Sequence, residues 1–153
     1  MKEENIFTLI AGPCVLENEE TAFFIAEKLK EICSRNNINL IFKASFDKAN
    51  RTSFSSFRGL GLNNAHSIFS NIKNELKLEI LTDVHEINQI EKFYDVIDIF
   101  QIPAFLCRQT DLIFAVVDSI KNTNKKINIK KGQFLSPLDM KNVIDKVVSR
   151  GLE

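Results

Sequence analysis

Short apolar runs alternate with longer amphipathic segments along this chain, and this alternation constrains the fold more than any other feature. Five runs have the length of a β-strand, at residues 6–10, 38–42, 78–81, 96–102 and 127–132. Each run precedes a segment with the apolar spacing of an α-helix, at residues 19–35, 62–76, 87–93, 110–120 and 136–149. A helical crossover between two neighbouring strands makes them parallel. The sequence therefore predicts an α/β fold of five consecutive strand–helix units.

Polar side chains lie at or just after the carboxyl end of every predicted strand. An open doubly wound sheet concentrates its site at one switch point, whereas a (β/α)8 barrel draws its site from nearly every strand end. The distribution favours the barrel, and the residues concerned are Cys14, Lys43 with Ser45, Asp83, Gln101 and Lys130.

A complete barrel needs eight strands and about 200 residues or more. This chain has 153 residues and five predicted strands. We therefore expect residues 1–153 to form a single incomplete TIM-barrel domain, a partial (β/α)8 barrel that ends before the sixth strand.

The segment after the second predicted strand concentrates positive charge. Lys43, Lys48 and Arg51 lie within nine residues, with Ser45 and Asn50 between them. Cations this close repel one another unless an anion lies among them. The segment therefore indicates a site for one or more small anions at the strand end. The alternative is a solvated basic loop without a ligand.

Composition excludes some classes of partner. Twenty basic and twenty acidic side chains give a formal net charge of zero, so no overall charge favours nucleic acid or a membrane surface. No apolar stretch approaches the roughly 18 residues needed to span a bilayer, and the first residues have no signal-peptide pattern. The three cysteines lack paired spacing, which favours a reducing cytoplasm and argues against a disulfide framework.

Six sequence blocks in order resemble the 3-deoxy-D-manno-octulosonate 8-phosphate synthases. The resemblance runs from about Leu9 to the C-terminus and covers only the N-terminal half to three-fifths of such an enzyme. The blocks are AGPC at 11–14, KASFDKANR at 43–51, FRGLG at 57–61, TDVHE at 82–86, QIPAFLCRQTD at 101–111 and NIKKGQF at 128–134.

The resemblance implies a (β/α)8 barrel that is tetrameric in the full-length family. Such an enzyme condenses phosphoenolpyruvate with D-arabinose 5-phosphate and releases inorganic phosphate, on the route to lipopolysaccharide. Both substrates are small polyanions, and fixed cations would offset the repulsion between them. The expected partners are therefore small phosphorylated molecules.

The resemblance also implies roles for individual residues. Those matched to phosphoenolpyruvate are Lys43, Ser45 and Lys48, with Lys130 on its phosphate and Gln101 and Ala104 lining the pocket. Those matched to the sugar phosphate are Asn50, Arg51 and Thr52, in a loop that reaches a neighbouring subunit in the family. Asp83 and Lys48 are the expected catalytic residues, and Arg108 is a second candidate anchor.

Cys14 implies a metal. Family members with cysteine at this position use a divalent ion, and a thiolate favours soft or borderline ions of the zinc or iron type. The resemblance therefore implies an ion of the zinc, iron or manganese type. The remaining family ligands, a histidine, a glutamate and an aspartate, are expected beyond Glu153, together with another phosphate-binding arginine.

Two other functions stay open from the sequence. A lysine at a barrel strand end also suits a Schiff-base aldolase, but that chemistry favours an isolated Lys43, whereas Lys48 and Arg51 surround it. A truncated, non-catalytic remnant is the second alternative, since autonomous activity of an incomplete barrel is doubtful. Among the remaining candidates, we expect Cys33 and Cys107 to pack in the core and His85 to cap the next helix.

Overall fold

The computed structural model describes residues 6–152. Strands and α-helices alternate throughout this range, as the sequence predicts, and a 3-10 turn at Ala104–Leu106 follows the fourth strand. The strands are β1 (Thr8–Val15), β2 (Asn39–Ser45), β3 (Glu79–Asp83), β4 (Ile99–Ile102) and β5 (Lys126–Ile129). The helices are α1 (Glu19–Arg35), α2 (Leu62–Leu76), α3 (Asn88–Phe93), α4 (Thr110–Ile120) and α5 (Met140–Ser149).

The chain divides into two compact units, residues 1–81 and 82–153. In the first unit β1 pairs with β2 and β2 pairs with β3, both in parallel, with Ile10 opposite Ile41 and Lys43 opposite Leu81. Helix α1 packs on β1, β2 and α2. The core of this unit includes fully buried aromatic and aliphatic side chains such as Phe42 and Phe69.

Helix α1 has the boundaries that the sequence predicts because both of its ends are capped. The Asn18 side chain accepts a hydrogen bond from the Thr21 backbone N–H at 2.8 Å, which satisfies one of the free donors of the first turn. At the other end Asn37 adopts a left-handed conformation with φ of 53°. The buried face of the helix includes Cys33, so the prediction that this cysteine packs in the core is confirmed.

Strand β1 does not end where the sequence predicts. It continues beyond Ile10 through residues that suggest a turn, and its register against β2 shifts between Ala11 and Cys14. A side chain at Gly12 would place its Cβ 1.9 Å from the carbonyl oxygen of Lys43. The glycine is therefore required for the close approach of the two strands, rather than for a turn after β1.

In the second unit β4 and β5 are parallel, with Ile99 opposite Lys126. Residues just after β3 join β4 through the Val84 N–H, which donates to the Gln101 carbonyl at 3.0 Å. All four residues of β4 are buried, and α4 packs on α3, β5 and α5. The predicted burial of Cys107 is confirmed.

Helix α5 begins at Met140, not at Ser136 as the sequence predicts. The Ser136 N–H and hydroxyl both donate to Asp139 Oδ2, at 3.1 and 2.9 Å. This local pairing closes a separate turn before the helix, because Ser and Asp side chains compete with helical hydrogen bonds near helix starts. Of the helices described in residues 6–152, none has the length and apolar character required for a membrane span.

Candidate functional site

The polar residues singled out from the sequence lie at the carboxyl ends of their strands. They are divided between the two units. Cys14 and Ser45, near the ends of β1 and β2, belong to the first unit, while Asp83, Gln101 and Lys130, at the ends of β3, β4 and β5, belong to the second. The predicted placement at strand ends is confirmed for the site residues of each unit.

In the first unit, the Ser45 hydroxyl accepts hydrogen bonds from two ammonium groups. Lys43 Nζ lies 3.1 Å and Lys48 Nζ lies 2.8 Å from Ser45 Oγ. Lys43 and Ser45 share one face of β2 because side chains two residues apart on a strand point the same way. Ser45 is only 1% exposed, so the oxygen that bridges the two lysines is shielded from water. With both lone pairs engaged, its O–H hydrogen is the group that can donate to a ligand.

Lys43 and Lys48 also interact with Cys14. Lys43 Nζ donates to the Cys14 carbonyl oxygen at 3.4 Å, and a hydrogen bond from Lys48 lowers the pKa of the Cys14 thiol. Burial opposes this by raising the pKa, while the charges of Lys48, Lys43 and Arg51 lower it further. Lys43, Lys48 and Arg51 therefore all act on the Cys14 thiol, where they stabilise negative charge.

The remaining residues matched to the sugar phosphate lie in the segment between β2 and α2, residues 46–61. Asn50, Arg51 and Thr52 are exposed there. The Arg51 backbone N–H donates to the Lys48 carbonyl at 3.4 Å, which keeps the segment turned near Lys48. We call residues 46–61 the cationic loop.

In the second unit, the Asp83 carboxylate pairs with a histidine that the sequence assigns to a different role. Asp83 Oδ2 lies 2.9 Å from His85 Nε2, and both side chains are largely buried. The expected capping of α3 by His85 is wrong: the acceptor is Gln89 Oε1, which receives the backbone N–H of His85 at 2.8 Å and that of Glu86 at 3.3 Å. The available signal was the spacing Asp-x-His directly after the buried run of β3, although His85 itself lies beyond the strand.

Gln101 also has a partner that sequence reasoning missed. Its Oε1 accepts from Asn128 Nδ2 at 2.9 Å, across the β4–β5 pair. Lys130 is exposed just after β5, and its backbone N–H donates to the Ile102 carbonyl at 3.1 Å. Side-chain pairs across neighbouring strands follow from the register of the two strands, and spacing along one strand does not give the partner on the next.

Ala104 and Arg108 follow β4 along the chain. Ala104 is half-buried in the 3-10 turn, and a Cβ on Gly132 would approach its carbonyl oxygen to 3.0 Å. Arg108 is exposed beside a cavity of about 390 Å³ whose other lining residues belong to the second unit and include Lys146. Lys146 Nζ donates to the Arg108 carbonyl at 2.9 Å.

The metal suggested by Cys14 needs ligands that the described part of the chain does not supply. Residues 6–152 contain no group of three or more histidine, cysteine, aspartate or glutamate side chains arranged to hold an ion. A single thiolate does not make a metal site. The residues present therefore do not fit a metal centre by themselves.

The sequence is similar to known proteins over nearly its whole length. The model of the DAHP synthetase I family matches residues 2–153. A 2-dehydro-3-deoxyphosphooctonate aldolase of Geobacter sp. (strain M21) is 54% identical over 145 residues, which are 95% of this chain and 52% of that protein.

Two further relatives have the same name. The protein of Burkholderia multivorans is 56% identical over 140 residues, or 92% of this chain and 48% of the relative. That of Geobacter sulfurreducens is 49% identical over 145 residues, or 95% and 52% respectively. The chain thus spans about half the length of the curated relatives it matches.

Proposed function

Because the chain belongs to the DAHP synthetase I family, we propose that it is part of a synthase that condenses phosphoenolpyruvate with D-arabinose 5-phosphate. The product would be 3-deoxy-D-manno-octulosonate 8-phosphate, a lipopolysaccharide precursor. The relatives named 2-dehydro-3-deoxyphosphooctonate aldolase support this assignment. The partial (β/α)8 barrel expected from the sequence agrees with the five strand–helix units and with the family.

One observation carries the proposal: the ammonium groups of Lys43 and Lys48 meet at the buried Ser45 hydroxyl beside Cys14. Two fixed cations and one hydroxyl donor suit a carboxylate or phosphate better than a neutral ligand. Phosphoenolpyruvate has both groups. Holding it at this strand end would orient the enol carbon C3 toward a second substrate.

The proposed reaction joins C3 of phosphoenolpyruvate to the aldehyde carbon of the sugar while water adds at C2. The bond between C2 and the phosphate oxygen then breaks, and inorganic phosphate leaves. Lys43 and Lys48 would offset the repulsion between the two anionic substrates and stabilise the departing charge. This is the aldol-type, carbon–carbon bond-forming transferase chemistry expected from the family.

The other assigned roles stay predictions. Asn50, Arg51 and Thr52 are proposed to bind the sugar phosphate, and the family loop that contains them is expected to reach a neighbouring subunit of a tetramer. In the second unit, Asp83 is the proposed catalytic carboxylate. The proposed substrate contacts of that unit are Gln101, Ala104, Arg108 and Lys130.

A divalent ion at Cys14 is likewise a proposal for the whole protein. It would need ligands besides Cys14, since the described residues hold no cluster able to bind an ion, and when bound it would orient or polarise the substrates as a Lewis acid. The cation cluster around Cys14 performs its binding role in either case.

The Schiff-base alternative is less compatible with Lys43. Its Nζ donates hydrogen bonds to Ser45 Oγ at 3.1 Å and to the Cys14 carbonyl at 3.4 Å. A protonated imine at this nitrogen has a single N–H and could keep only one of them. The non-catalytic remnant differs from the synthase in activity, not in the geometry of the first unit.

Binding of phosphoenolpyruvate to the 153-residue chain tests the proposal. By titration calorimetry we expect binding that Lys48→Met weakens about tenfold, because a charged donor is lost. Lys92→Met, an exposed lysine on α3, is the matched control and should leave the affinity unchanged. Equal affinities for the two variants, or no binding by the parent chain, would contradict the proposed anion site.

A further inference from the structure

The cationic loop contains no strand or helix of its own, yet it supplies Lys48 and Arg51 to the anion site. Much of it is exposed, and the ring of Phe54 is fully so. A loop of this kind has many conformations unless its two ends are tied. The position of Lys48 therefore depends on what holds the base of the loop.

Backbone contacts bring the two ends of the loop together. The Lys48 N–H donates to the Arg58 carbonyl at 2.6 Å, and the Gly61 N–H donates to the Phe46 carbonyl at 3.2 Å. Gly59 lies between them with φ of 129°, and a Cβ there would lie 2.3 Å from the Phe46 carbonyl oxygen. The entering and leaving segments are thus in direct contact at the residue that bears the site ammonium.

A bidentate ion pair joins the same two segments. Arg58 Nε donates to Asp47 Oδ1 at 2.8 Å, and Arg58 Nη2 donates to Asp47 Oδ2. The Asp47 hydrogen bond and charge raise the pKa of Arg58. Two parallel N–H···O bonds fix the orientation of both groups, which a single contact does not do.

Asp47 also matters for the anion site because it directly precedes Lys48. Its carboxylate is the acidic side chain nearest in sequence to Lys48 and Arg51. An aspartate released from Arg58 could turn toward these cations and occupy them in place of a substrate anion. The ion pair with Arg58 keeps both carboxylate oxygens engaged elsewhere.

We propose that Asp47 and Arg58 are positioning residues that clamp the base of the cationic loop and keep the Asp47 carboxylate away from the anion site. The ligand concerned is a small phosphorylated carboxylate, and this identification rests on the proposed function. Neither residue is assigned to the substrate by the family resemblance. The clamp therefore adds a determinant of affinity outside the set Lys43, Ser45 and Lys48.

A mutant cycle on the 153-residue chain tests the clamp, with calorimetric binding of phosphoenolpyruvate and of inorganic phosphate as the measurement. We expect Arg58→Ala to weaken binding about tenfold, since coupled charge networks show effects of this order. Arg58→Lys should weaken it less. Asp47→Ala combined with Arg58→Ala should bind better than Arg58→Ala alone, because the competing carboxylate is gone.

The matched control removes a different arginine–carboxylate pair in the same unit. Arg35 pairs with Glu31 on the surface of α1, so Arg35→Ala loses an arginine–carboxylate contact that lies outside the cationic loop. It should leave both affinities at the parent value. Thermal melts of all variants distinguish lost clamping from lost folding, and Arg58→Lys tests the clamp with the positive charge retained.

Chymotrypsin supplies a readout that needs no ligand. Phe54 is fully exposed in the loop, and loosening the base should accelerate cleavage after it in Arg58→Ala but not in Arg35→Ala. Parent-like affinity in Arg58→Ala, or a double variant that binds no better than Arg58→Ala, would overturn the clamp. If the parent binds neither anion, the proposed function fails, and unchanged cleavage at Phe54 would then refute the clamp independently.

Discussion

Strand ends in the two units hold polar side chains of contrasting electrostatic character. In the first unit Lys43 and Lys48 donate to neutral oxygens, those of a hydroxyl and a carbonyl, so positive charge accumulates around Ser45 and Cys14. In the second unit the contacts at the strand ends join complementary groups: Asp83 with His85, and a glutamine with an asparagine.

Under the proposed function, the two units would serve different tasks. A cluster of cations attracts a ligand and weakens as salt screens it, whereas a set of mutually bonded polar groups keeps its geometry without a ligand. The first unit is therefore suited to capturing an anion. The second is suited to presenting oriented groups, and its proposed catalytic Asp83 fits that description.

The largest expected effect comes from disturbing the scaffold of the first unit. Gly12→Ala should lower the free energy of unfolding by about 3 kcal/mol, because its Cβ would meet the backbone of Lys43 at 1.9 Å and overpacking against backbone cannot relax cheaply. Urea melts followed by circular dichroism measure the change.

Gly61→Ala is the matched control for Gly12. Gly61 has φ of 75°, but a Cβ added there would have no neighbouring atom within 4 Å, so alanine costs only the backbone strain, about 1 kcal/mol. If the two alanine variants were equally stable, the close approach of β1 and β2 would not be what places Cys14 beside Lys43.

Features that depend on local spacing could be predicted from the sequence. The boundaries of α1 and α2 agree with the apolar spacing, and Lys43 with Ser45 could be placed on one face because they are two residues apart on a strand. The predicted end of β1 is wrong because glycine and proline at 12 and 13 are typical of turns, whereas here they accompany a register shift.

Contacts between distant residues could not be found in the same way. Asp47 and Arg58 are joined only once the loop closes, and Gln101 meets Asn128 only in one register of β4 against β5. The hydrophobic pattern fixes which face of each strand is buried, but it does not identify which residues of two distant segments meet. The sequence therefore identified the residues that supply charge better than those that position it.

An intermediate effect is expected for the Asp83–His85 contact of the second unit. His85→Ala should reduce the free energy of unfolding by about 2 kcal/mol, because the buried Asp83 carboxylate loses the donor at 2.9 Å. His66→Ala on α2 is the control, since His66 is the other histidine of the chain, and it should cost less. Equal losses in the two variants would show that the Asp83–His85 contact contributes little to stability.

The smallest effect concerns the pKa of the Cys14 thiol, and it tests the electrostatic contrast between the two units most directly. The hydrogen bond from Lys48 lowers the pKa of this thiol in the folded chain, assisted by the charges of Lys48, Lys43 and Arg51. Alkylation by iodoacetamide requires the thiolate, so its rate profile should rise at lower pH than in the urea-unfolded chain. Cys33 and Cys107 are buried and should react slowly when folded.

The sign of the linked stability follows from the same shift. A thiol whose pKa is lower in the folded state favours folding at pH values above its ordinary pKa, and this contribution disappears as the pH falls through the folded value. Lys48→Met should move the alkylation profile of Cys14 back toward higher pH, whereas Arg35→Ala should not move it. A profile unchanged by Lys48→Met would mean that the cations do not converge on Cys14, and the electrostatic contrast between the two units would lose its basis.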